Sequence, residues 1–96
     1  MTAERTLIPI PHPDLIWRFV DDELVIVRPS DGQIRVLNSV AAFVWRSMDG
    51  HRTVSDLASL VCAEYEVSYS KAASDIEDLI APLVENGLVQ WSGLED

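Results

Sequence analysis

Thiols, imidazoles and carboxylates are the side chains with which a small domain does chemistry, and this chain holds few of them at workable spacings. The one cysteine, Cys62, lies in the apolar run "LASLVCAEY". A reactive thiolate needs a nearby base or a helix N-terminus. Neither is evident, so Cys62 reads as a buried small hydrophobe. His12 sits in a proline-rich arm and His51 just after Gly50. Neither has a Cys, Asp or second His at zinc-ligand spacing, and both read as solvated loop residues. Asp21-Asp22-Glu23 and the acids between Asp75 and Asp78 are the only candidates for paired carboxylates. Adjacent acids on a turn or a helix start are ordinarily solvated or capping charges. There is no glycine-rich phosphate loop. The residues therefore argue for no enzyme, with no catalytic residue, no metal and no cofactor, and leave a binding module.

The elements that would carry a binding surface are patterned clearly. "LIWRFV", "ELVIVRP" and "QIRVLN" are rich in β-branched and aromatic residues, which favour a pleated surface. Asp21-Asp22 and Pro29-Ser30-Asp31-Gly32 are turn signals between them. Connections this short predict an antiparallel meander, because parallel pairing needs a long crossover.

Three helices follow. Asn38 and Ser39 offer caps to a helix whose apolar residues include Val40, Phe43, Val44 and Trp45, with Gly50 suited to a left-handed C′ position. "TVSD" sets Thr53 against Asp56 as a capping pattern for a second helix ending near Tyr65. "SYSKAASDIEDLIAPLVENG" makes the third, with Ile76, Leu79, Ile80, Leu83 and Val84 as its stripe. Asp75, Glu77 and Asp78 are expected in its first turns, where the helix dipole favours negative charge. Pro82 removes the bond to the Asp78 carbonyl and should kink or break this helix. "LVQW" is a candidate short last strand. The N-terminal "TLIPIPHPD" reads as an extended arm, since proline fixes φ and removes a donor.

Strands and helices segregated in this order imply an α+β domain: a winged helix-turn-helix-like fold, with a three-stranded antiparallel sheet followed by three helices. The expected division is an arm over residues 1–14 and one domain over residues 15–92. The 96 residues suit one modest core. A formal net charge of −9 repels nucleic acid and anionic lipid, which bind by neutralisation with Lys and Arg. A winged-helix DNA binder is the alternative reading, and the acidic third helix speaks against it. A single cysteine gives no internal disulfide, no apolar run approaches the ~18 residues of a membrane span, and the N-terminus lacks signal-peptide order. The cytoplasm is the expected location.

The block "VLNSVAAFVW…DGHRTVSDLA…EYEVS…ASDIEDLIAPLVENGLV" resembles the PqqD family, the small recognition elements used in making ribosomally synthesised, post-translationally modified peptides. The likeness runs from about Asp22 to Val89. It implies a non-catalytic protein that binds the leader segment of a precursor peptide and presents the core segment to a modifying enzyme, either a radical-SAM protein or, in lasso-peptide pathways, a leader peptidase. The leader would add antiparallel to the third strand and pack against the third helix, a β-augmentation. Carried over by position, the strand side is Gln33, Ile34, Arg35, Val36 and Leu37, and the helix side is Lys71, Ala72, Asp75, Ile76 and Leu79. Alternation leaves open whether Ile34 and Val36 or Arg35 and Leu37 face the groove. Arg35 and Asp75 could pair with leader charges or with each other. Trp17 and Trp91 read as core or edge aromatics. A homodimer stays open.

Overall fold

The structure, a computed structural model, describes residues 7–92. The elements run β1 (Ile8–Pro11), β2 (Ile16–Val20), β3 (Glu23–Arg28), β4 (Gln33–Leu37), α1 (Ser39–Ser47), α2 (Val54–Tyr65), α3 (Tyr69–Glu85) and β5 (Val89–Ser92). The expected α+β arrangement is present: an antiparallel sheet in the order β2-β3-β4, followed by three helices.

The register of this sheet assigns its faces. Trp17 lies opposite Ile26 and Phe19 opposite Leu24. Across the next pairing, Ile26 faces Arg35 and Leu24 faces Leu37. Leu24 and Ile26 are buried in the core, so Arg35 and Leu37 are on the helix side. Ile34 and Val36 pair with Val27 and Val25 on the other face and are 65% and 58% exposed. Asp21, at φ 55°, turns β2 into β3. Gly32, at φ 73°, lets the chain turn into β4, where its N–H donates to the Arg28 carbonyl at 2.7 Å.

The helices start where side-chain oxygens meet free N–H groups. Asn38 Oδ1 accepts from the Ala41 N–H at 3.0 Å. Thr53 and Asp56 form a reciprocal capping box. Ser68 caps α3. Several expectations change. Gly50 is left-handed at φ 87° but lies beyond the α1 C-cap, Met48. There it belongs to a turn in which Asp49 Oδ1 accepts from the N–H groups of His51 and Arg52. Because α3 begins at Tyr69, its first turn holds no acid. Asp75, Glu77 and Asp78 lie deeper, where the dipole's influence has faded. Pro82 does not break α3, which runs on to Glu85. It sits in the last turn on the solvent side, with Asp78 also exposed, so water can reach the carbonyl that loses its partner. Cys62 is half-buried rather than buried, packed against the core.

Trp45, Leu57, Ile76, Ile80 and Val89 are among the largest fully buried side chains and join α1, α2, α3 and the last strand in one core. Trp17 and Trp91 are exposed and half-buried respectively. Trp17 stands edge-on to Trp45, and Trp91 packs on the core.

Part of the proline-rich stretch is a strand. β1 pairs antiparallel with β5, Pro9 facing Trp91 and Pro11 facing Val89. Prolines are tolerated there because a two-stranded sheet is all edge. Residues 1–6 of the expected arm lie outside the described residues.

Candidate functional site

Among the described residues β4 is an edge strand, hydrogen-bonded to β3 on one side only. Its other side presents backbone donors and acceptors that a further strand can pair with. At its end the chain turns through Asn38 directly into α1. This junction forms one wall of a groove whose other wall is α3. The groove holds about 250 Å³ and is lined by Asn38, Val40, Ala41, Val44, Val61, Asp75, Ile76 and Leu79. Val40 is 41% exposed on its rim, while Val44, Val61 and Ile76 are buried side chains.

The residues singled out from the sequence fall into three groups. Asp75, Ile76 and Leu79 line the groove. Gln33, Ile34, Arg35, Val36 and Leu37 make up the open-edged strand. Lys71 stands exposed on α3, one turn before Asp75, and Ala72 is wholly buried in the core. Asn38, Val40, Ala41, Val44 and Val61 were missed as groove residues. Val40 and Val44 belong to the same helical stripe as Trp45, and that spacing reads as core whether or not a side chain ends up under cover.

The electrostatics separate two walls. On α3, Lys71 Nζ lies 3.2 Å from Asp75 Oδ2. The pair is exposed and of the i,i+4 kind, so it contributes only about 0.3–0.5 kcal/mol. Asp75 is therefore partnered within its own helix and not by Arg35. On the strand wall, Arg35 is half-buried and has no hydrogen-bonding or ionic partner among the described residues. No group of three or more His, Cys, Asp or Glu able to hold a metal ion occurs among the described residues, and none of their helices is long and apolar enough to cross a membrane.

A groove beside an open strand edge can accept an extended peptide, with backbone bonds to the edge and side chains lodged between strand and helix. Known proteins bear on this geometry. The structure of TbiB1 in complex with the TbiA(beta) leader peptide is similar with a TM-score of 0.77 at 22% identity, covering 91% of this chain and 99% of that one. Lasso peptide synthetase B1 complexed with the leader peptide gives a TM-score of 0.78 at 26% identity, covering 86% and 98%. The heterocyclase TruD gives 0.64 at 12% identity, and the match covers 94% of this chain but 12% of that one. No curated protein matches the chain in sequence. The family profile described as Coenzyme PQQ synthesis protein D (PqqD) matches residues 23–89, from the start of β3 to the start of β5, and the chain belongs to the PqqD family.

Proposed function

We propose that this protein is a recognition element that binds the leader segment of a ribosomally made precursor peptide and presents it to a modifying enzyme. The observation that carries this reading is the open edge of β4 beside the apolar groove between α1 and α3. The leader adds antiparallel along residues 33–37, and an apolar leader side chain enters the groove over Val44, Val61 and Ile76. Residues 15–92 carry the binding surface, and β1 is clasped to their last strand. The enzyme partner is a radical-SAM protein or a leader peptidase, and the protein works in the cytoplasm without catalysis of its own. Two of the similar structures, TbiB1 and lasso peptide synthetase B1, hold leader peptides, which supports the assignment. The winged-helix DNA-binding alternative finds no support: α3 carries Asp75, Glu77, Asp78 and Glu85 against Lys71, a charge balance that phosphates oppose.

The test is calorimetry with synthetic leader segments taken from short peptides encoded near genes of this family, followed by amide exchange. Binding should protect residues 33–37. A tight complex that leaves this strand unprotected would move the site elsewhere, and a salt-sensitive complex with duplex DNA would favour the alternative.

A further inference from the structure

We propose that Arg35 selects an acidic side chain in the bound peptide, at the position directly opposite it across the β4 edge. This rests on the peptide-binding reading above and adds a sequence requirement to it.

Arg35 is the middle residue of β4. Its register partner is Ile26, a buried core residue, so its stem stands on the helix side of the sheet, the side on which α1 and α3 wall the groove. It is half-buried, yet no carboxylate among the described residues answers it. The one acid lining the helix wall of the groove, Asp75, is engaged by Lys71. Arg35, Lys71 and Asp75 together leave one positive charge at the site, against −9 for the chain. The diffuse negative field of distant acids is screened beyond ~8 Å at physiological salt. A carboxylate in contact with a partly desolvated guanidinium is screened much less. A strand docked on β4 also shields Arg35 further, which disfavours any peptide leaving it unpaired.

The alternation of strands fixes where the acid falls. In an antiparallel peptide the residue two places N-terminal to the acid lies opposite Leu37, and the next inward one reaches the groove at Asn38 and Val40. The preferred segment thus has an acidic residue with a large apolar residue two to four places before it.

The experiment is selection of a displayed library of random fifteen-residue peptides on the folded domain, with the enriched peptides synthesised and mapped by amide exchange. Peptides that protect residues 33–37 should share an Asp or Glu at one fixed place after an apolar residue. Changing that acid to its amide should weaken binding to the wild type at least tenfold, about 1.4 kcal/mol, and change binding to Arg35→Gln less than twofold. A lysine at that place should regain affinity for Arg35→Glu. Circular dichroism checks that both variants fold. Strand-protecting peptides without a fixed acid, or equal losses in wild type and Arg35→Gln, overturn the role of Arg35 while leaving peptide binding intact. Enrichment of nothing that protects residues 33–37 overturns the peptide-binding reading and this proposal with it.

Discussion

Trp17 meets Trp45 edge to face, with ring centroids 5.8 Å apart and planes at 79°. Trp45 is buried on α1 and Trp17 lies on β2, so this contact ties the far strand of the sheet to the helices. Trp17 also meets Phe19 edge-on at 5.7 Å. Trp17→Leu removes both aromatic pairs and should cost about 1–2 kcal/mol. Trp45→Ala empties the core beneath and should cost about 3–5 kcal/mol. Urea unfolding of both variants checks the order. An unchanged stability in Trp17→Leu would mean that the sheet is not held by this contact.

Pro82 offers a gain. The native backbone there is helical, and Asn86 returns both its N–H and its side-chain amide to the Pro82 carbonyl. Pro82→Ala restores a donor to the Asp78 carbonyl. It also frees the unfolded chain, which offsets part of the gain. A net stabilisation of about 1–2 kcal/mol is expected from thermal unfolding. A loss would show that the proline fits a bend that alanine does not keep.

Val40 separates stability from binding. It is exposed on the groove rim, so Val40→Glu should change stability by no more than about 0.5 kcal/mol. The same change sets a charge where the proposed peptide buries an apolar side chain, and affinity for the leader should fall at least tenfold, about 1.4 kcal/mol. Calorimetry and thermal melts on one sample decide it. Unchanged affinity would remove this rim from the site.

Asp49 sets a pH response. The His51 N–H donating to its carboxylate, with further help from the Arg52 N–H and charge, holds Asp49 below its ordinary value of 3.8. A depressed folded-state pKa gives stability that is present above the unfolded pKa and lost as pH falls through the folded one. Wild type should therefore melt above Asp49→Ala at pH 7, and the gap should narrow as the pH drops below about 4. A gap independent of pH would assign the effect to turn geometry instead of charge.

Much of this was legible in the sequence, and the failures have specific causes. The meander is written in runs of β-branched and aromatic residues joined by short turns, and the capping of α1 and α2 in Asn38 and in Thr53 with Asp56, whereas the Ser68 cap of α3 was not singled out. The facing of β4 was not legible, because Ile34, Val36 and Leu37 give it apolar residues on both sides. Only pairing with Leu24 and Ile26 decides which side meets the helices. Groove residues such as Val44 and Val61 share their spacing with core residues, so pattern alone cannot tell a floor from an interior. β1 was hidden by proline, whose missing donor matters little in a two-stranded ladder.

That ladder closes the domain with the two ends of the described chain lying together. Ile8 faces Ser92 at its outer rung and Pro11 faces Val89 at its inner one. Beyond it the His12 N–H donates to the Leu88 carbonyl at 2.9 Å. Tension applied at residues 7 and 92 would therefore load one rung at a time and peel β1 from β5, rather than shearing the whole ladder at once. The clasp should yield at low force, with the sheet and the groove still intact behind it.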